Sequence, residues 1–248
     1  MTEHTDTGLA TPASRRYFLR TAGVAGLAVA GAGLFGAPTA AAADNTAAVK
    51  AILTVARTAE QLAITFYLTG LKHSAELGLN YVDAENLIAA VREEQLHQQF
   101  FTAGGGASLA DTFSFPEGDR TFTDLGTFIA TQQQLEGVFD SAFLAAVKEF
   151  SQLGEHRLAQ IAAQIACIES EHRALGREIL ARRFDQNFIP SDNFAYAPVL
   201  VKTVADAPQL VKDAGFLSPT DGNSFTYQPV DTTDDRIQFR TPFTVAGD

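Results

Sequence analysis

The sequence predicts an all-α protein: a four-helix bundle with a long middle crossover and an irregular C-terminal appendage. Three observations carry this. Four long segments repeat apolar residues at helical spacing, each ~20 to 30 residues and therefore ~30 to 45 Å long at 1.5 Å per residue. The connections between the first and second segments, and between the third and fourth, are short, which makes antiparallel neighbours. The middle connection of ~18 residues reaches up to ~60 Å when extended, enough to return along the whole bundle.

The first 43 residues stand apart from the fold. Ser14-Arg15-Arg16-Tyr17-Phe18-Leu19-Arg20 precedes an uncharged Ala/Gly-rich stretch from Thr21 to Ala43 that ends in small residues suited to signal cleavage. The paired arginines, the aromatic-Leu after them and the mildly apolar segment resemble a bacterial twin-arginine export signal. The resemblance implies export of an already folded protein, to the periplasm, the cell wall or the medium. The segment is interrupted by glycine and too weakly apolar for a stable membrane span, so none is expected after cleavage.

The helices follow in order. The first is expected from Asp44 or Asn45 to about Leu77, stopped by Gly78. The second starts at Asp83 as N-cap and ends at Gly104-Gly105-Gly106. Ala107 to Phe122, with Pro116, reads as loop. The third helix runs from Thr123 or Asp124 to Gly154, the fourth from Glu155 to about Phe184. The bundle thus occupies residues 44–184. In the appendage, 185–248, stand six of the nine prolines, and the periodicity fades. A short helix from Ala207 to Asp213 is expected there, as is a hairpin of Ser224–Val230 with Arg236–Val245. Phe188, Phe194, Phe216, Phe225, Phe239 and Phe243 call for burial, so the appendage is expected to fold onto the bundle.

Composition excludes several function classes. The 248 residues carry 18 Lys+Arg against 29 Asp+Glu, a net charge of −11. A nucleic-acid binder needs a basic face, so nucleic acid is not an expected partner. One cysteine, Cys167, rules out an intramolecular disulfide and Cys-rich zinc or iron–sulfur sites. In its setting of Ile165, Ala166 and Ile168 it reads as a buried small hydrophobe.

Chemistry is carried by acids on apolar stripes. The second helix contains Glu94-Gln95-Leu96-His97 and the fourth Glu169-Ser170-Glu171-His172. Both are Glu-x-x-His, and the i,i+3 spacing puts each pair on one helix face. That face is largely apolar: Leu87, Ala90, Val91 and Phe101 flank Glu94, and Ala162, Ile165 and Ala166 flank Glu169. The other helices each offer one acid in such a position: Glu60 beside Leu53, Ala56 and Ile64, and Glu136 beside Ile129, Phe139 and Phe143, with Gln132, Gln133 and Asp140 at the edge of the stripe. Glu94 follows Glu60 by 34 residues and Glu169 follows Glu136 by 33, so the two halves repeat.

Buried ionised carboxylates cost several kcal/mol each unless compensated, and four together also repel. No set of inward Lys or Arg accompanies them, whereas two divalent cations balance four carboxylates. Carboxylate and imidazole ligands suit iron or manganese, with each metal receiving one histidine nitrogen and bridging glutamates holding the ions together. Tyr67, on the Glu60 face, reads as core packing. Glu93 and Glu171 read as solvated, and His73 and His156, near helix ends, as exposed. Arg57 and Arg173 lie one turn from the candidate ligands, and the sequence leaves their partners open.

One Glu from each of two helices and Glu-x-x-His from each of the other two resembles the ferritin-like di-iron or di-manganese carboxylate bundles. The resemblance covers about residues 45–184. It implies Glu60, Glu94, His97, Glu136, Glu169 and His172 as ligands of two Fe or two Mn ions. With the export signal and Phe-rich tail, the chain looks like exported ferritin-like-domain proteins of bacteria, some labelled desiccation-related. The implied activity is oxidation of Fe(II) by O2 or decomposition of H2O2. A rubrerythrin-type relay needs four cysteines, and haem-bridging bacterioferritin chemistry needs an internal Met, which is absent. The alternative is a non-catalytic cell-envelope or stress protein whose metal is structural. Whether the chain assembles into oligomers is left open.

Overall fold

A computed structural model describes residues 43–183 and 194–233. Four long helices dominate: α1 (Ala43–Lys72), α2 (Tyr81–Ala103), α3 (Leu125–Gln152) and α4 (His156–Arg183). Residues 1–42 (all but the last residue of the expected export signal, 1–43), Phe188, Phe239, Phe243 and the second arm of the expected hairpin lie outside the described residues.

Interhelical contacts fix the directions. The short 73–80 connection sets the start of α2 beside the end of α1, and Arg57, further back on α1, reaches the Gly106 carbonyl just past the end of α2, so the two are antiparallel. Asn45, at the start of α1, donates to the Leu153 carbonyl just past α3, and Gly70, near its end, abuts Phe128. Thus α1 and α3 are antiparallel as well. Gln132, early in α3, reaches the His172 carbonyl late in α4. The order is therefore up, down, down, up, and two like-directed helices in succession require the crossover the sequence predicts. The crossover follows α1: the Ala107 amide donates to Thr54 and the Leu109 amide to Thr58, after which Phe115 and Phe122 pack on Phe66. It holds a two-residue strand, β1 (Thr112–Phe113), and a 3-10 turn at Gly118–Phe122.

Several boundaries differ from the expected ones, each for a local reason. α1 stops at Lys72, and turns occupy 73–78, closed by Gly78 at φ 64°. α2 is capped by Asn80, not Asp83: Asn80 accepts from the Asp83 amide while Asp83 accepts from the Asn80 amide. Asp83 is thus the third residue of a capping box, which a search for a single N-cap misplaces. In the appendage, α5 (Ala207–Asp213) forms as expected. β2 (Phe225–Thr226) pairs antiparallel with β1, Thr112 opposite Thr226, so Ser224–Val230 finds its partner in the crossover.

The appendage is held by polar anchors, of which Ser141 is buried. Ser141 Oγ of α3 accepts from the Leu200 and Val201 amides, and Glu149 accepts from the Val204 amide. Asn223 bonds both backbone groups of Phe115. Of the tail phenylalanines, Phe216 is buried and Phe225 half-buried, whereas Phe194 is exposed, contrary to expectation. Among the described residues, no helix is long and apolar enough to cross a membrane.

Candidate metal centre

Each long helix brings one stretch of its apolar stripe to a common level of the bundle, and the stripe is interrupted there by acids. Glu60, Glu94, Glu136 and Glu169 are each at most 1% exposed, and His172 is 2% exposed. His97 is the most open of the six, with its side chain 14% exposed. All six expected residues converge, in two overlapping groups: Glu60, Glu94, His97 and Glu169, and Glu94, Glu136, Glu169 and His172. In each group the ligating atoms lie within 4.8 Å of one another.

The sharing is orderly. His97 Nδ1 faces Glu60 Oε2 at 3.8 Å, Glu94 Oε2 at 3.5 Å and Glu169 Oε1 at 3.8 Å. His172 Nδ1 faces the other oxygens of the same two acids, Glu94 Oε1 at 3.0 Å and Glu169 Oε2 at 3.4 Å, together with Glu136 Oε1 at 3.7 Å. Glu94 and Glu169 thus turn one oxygen to each histidine. Glu60 and Glu136 each serve one group. The repeat of the sequence has become a local twofold in space.

These atoms suit cations. Glu60 Oε1, both oxygens of Glu94 and Glu169, Glu136 Oε2 and both histidine Nδ1 atoms are buried without a properly oriented hydrogen bond. Buried polar atoms are otherwise almost always bonded, so eight such atoms aimed at shared space call for an ion. Spacings of 3.0 to 3.8 Å match neighbouring ligands around a centre with bonds of ~2.1 Å at right angles, which lie ~3 Å apart.

Electrostatics without cations point the same way. Burial, then the charges of Glu94, Glu169 and Glu136, raise the Glu60 pKa well above 4.5. Burial and the Glu169 charge raise that of Glu136, and burial and the Glu94 charge that of Glu169. Against the push of burial, the close Glu60 carboxyl and the His172 ring hold Glu94 below its usual range. Burial opposes protonation of His172, but the charge of Glu94 and the neighbouring Glu169 and Glu93 carboxylates prevail and raise its pKa well above 6.5. The metal-free centre therefore retains protons that bound cations would displace.

The surroundings of the two groups differ. His172 Nε2 lies 3.0 Å from Glu93 Oε2, so its outer nitrogen is held by a carboxylate. Glu93 is therefore not the solvated residue expected; its side chain is 36% exposed at one edge and engaged at the other. Tyr67 does more than fill the core: its hydroxyl donates to Glu136 Oε1. Gln132 donates to the Tyr67 hydroxyl at 3.0 Å and to the His172 carbonyl at 2.8 Å. Gln133 donates to Gln132 Oε1 at 2.9 Å and to the Arg173 carbonyl at 2.9 Å. Gly176 makes room for this network, since a Cβ there would stand 1.7 Å from Gln132 Oε1. Among the described residues, no comparable set surrounds Glu60 and His97.

Other residues settle elsewhere. Arg57 reaches the Gly106 carbonyl and Arg173 pairs with Asp140 at 3.1 Å, so neither neutralises the centre. Asp140 and Gln132, expected at the stripe edge, are buried. Glu171 and His156 are exposed as expected, while His73 is half-buried against Phe122. Cys167 is exposed, not buried: Ile165, Ala166, Glu169 and His172 define the core face, and residue 167 falls outside it. Helical periodicity carried no signal for Glu93, because its partner belongs to another helix; the doubled Glu93-Glu94 was the one visible trace.

Two antiparallel helix pairs joined by a crossover, with paired carboxylate–histidine groups at their middle, define a class of protein. The chain belongs to the ferritin-like domain family, whose model matches residues 48–182. No curated protein and no solved structure matches it.

Proposed function

We propose that this is an exported ferritin-like metalloprotein whose centre holds two iron or manganese ions and oxidises Fe(II) or decomposes peroxide. The observation that carries the reading is the set of eight buried donor atoms, without hydrogen bonds, in two groups that share Glu94 and Glu169. Iron or manganese held there would supply the redox chemistry, two electrons per pair, for reduction of O2 or H2O2. Glu94 and Glu169 would be shared between the two ions, Glu60 with His97 would hold one of them, and Glu136 with His172 would hold the other. Glu93 fixes the proton of His172 on Nε2, which leaves Nδ1 free as a ligand. Tyr67 holds Glu136 in place and, with Gln132, keeps water from that side. Export follows the twin-arginine route read from residues 14–43.

A second reading, an envelope or stress protein with a structural metal, draws on the exposed run Phe194, Tyr196, Val199 and Leu200, a surface suited to contact with another molecule. One experiment separates the two. The cleaved protein is purified, its metals are counted, and Fe(II) oxidation and peroxide decay are assayed beside Glu94→Ala. Activity abolished in the variant supports the oxidative reading. Two metals without turnover support the structural one, and activity unchanged in Glu94→Ala removes the centre as its source.

A further inference from the structure

Beneath the appendage, between it and helices α1 and α3, lies a cavity of about 40 Å³. Val55, Ala59 and Leu62 of α1, Phe139 and Ala142 of α3 and Val211 of α5 contribute to its walls. Thr58 is the one polar side chain in the lining, and its hydroxyl is already committed, donating to the Thr54 carbonyl at 2.8 Å and accepting from the Leu109 amide at 3.0 Å. A buried water needs two to four polar partners, so the cavity stays dry. It is far smaller than the roughly 150 Å³ that admits a benzene ring, which excludes an acyl chain or an aromatic substrate.

Its position adds meaning to its size. Leu109 at the rim is 56% exposed, so the cavity meets the surface there. Along α1, Ala56 and Ala59 lie within one helical turn of Glu60, and along α3 Phe139 lies one turn beyond Glu136. A further void of about 10 Å³ inside the bundle shares Ile52, Ala56, Phe143 and Ala146 with it. Polar reactants have a different side to use, because His97 is the partly exposed ligand.

We propose that this cavity is a binding site for a small apolar gas, and that in the working protein its occupant is O2 on the way to the centre. The proposal rests on the oxidative reading above and narrows it: O2 is delivered through the apolar wall, while H2O2 and metal ions arrive at the His97 side. In the supplied reaction two Fe(II) give one electron each, O2 takes both with two protons, and H2O2 leaves.

Xenon, which occupies dry apolar cavities, is the probe. Xenon-129 NMR of the full mature protein is expected to show a saturable shift. Ala142→Leu, which fills the cavity away from the ligands, is expected to abolish the shift. It should slow O2-driven Fe(II) oxidation several-fold and leave H2O2-driven oxidation unchanged. Val55→Ala with Ala142→Leu, which returns the volume, is expected to restore both xenon binding and the O2 rate, and thermal melting checks that each variant is folded. Absence of a xenon shift in the unaltered protein overturns the proposal, as does an unchanged O2 rate in a folded Ala142→Leu that no longer takes xenon. If the unaltered, metal-loaded protein oxidises Fe(II) with neither oxidant, the oxidative reading fails and the O2 assignment with it. The xenon shift, which needs no metal, shows separately whether a gas site exists.

Discussion

Removing the Glu93 carboxylate is expected to weaken one metal position and spare the other. Glu93 accepts from His172 Nε2 at 3.0 Å, and among the described residues His97 has no such partner. Loss of an outer carboxylate behind a ligating histidine typically costs 10- to 100-fold in metal affinity, or about 1.4 to 2.7 kcal/mol. Glu93 is 36% exposed, so water screens part of the interaction and the lower end, roughly tenfold, is expected for Glu93→Ala. Glu93→Gln keeps a neutral acceptor and should lose only a few-fold, since bonds to charged groups are worth about twice neutral ones. Competition titration with a chromophoric chelator is the assay. The unaltered protein should load in two resolvable steps, the tighter at Glu136 and His172 where Tyr67, Gln132 and Glu93 hold the ligands. Glu93→Ala should shift that step alone. Equal weakening of both steps, or of neither, would refute the reasoning.

Three further outcomes follow from the same geometry. Glu94→Ala or Glu169→Ala should remove both metals, because each acid faces both histidines, whereas Glu60→Ala or Glu136→Ala should leave one by elemental analysis. Metal-free protein should melt at progressively lower temperature as pH rises from about 4.5. The raised folded-state pKa values of Glu60, Glu136 and Glu169 contribute stability that is full below 4.5 and lost as pH climbs through them, and His172 adds the same trend from 6.5 upward. Glu94, lowered, works in the opposite sense, but one group stands against four. Metal at a hundred times its Kd should then raise Tm at pH 7 by roughly 5 to 10 °C per site, and calorimetry with and without chelator checks both statements. Finally, Gly176→Ala should destabilise the fold by about 1 to 3 kcal/mol in denaturant unfolding, because Gln132 must abandon Tyr67 and the His172 carbonyl to make room.

The ligand set was legible because a helix turns spacing into direction: three residues separate Glu from His in both motifs, and apolar neighbours mark which way that face points. The up–down–down–up order was legible from two short connections and one long one. What escaped depends on relations between elements. Glu93 serves a histidine of a different helix, and Tyr67 and Gln132 act across the α1–α3 and α3–α4 interfaces, so no periodicity along one chain segment registers them. Cys167 misled because its apolar neighbours in sequence point elsewhere in space. The strand within Ser224–Val230 was legible from its alternation, but its pairing with Thr112–Phe113 was not, because that partner lies more than a hundred residues away.

Gln95, the neighbour of Glu94, is a fastening point as well as a core residue. Its side-chain oxygen receives the Tyr227 hydroxyl and the Val230 amide, both at 3.0 Å, and Arg92 on the same helix bonds the Asp231 carbonyl. A protease that trims the chain ahead of Tyr227 would strip two donors from a residue only 2% exposed, one position from a carboxylate that both histidines face. Residues 227–231 are thereby a clasp on one of the four helices that carry the centre, and its loss would be felt first at Glu94.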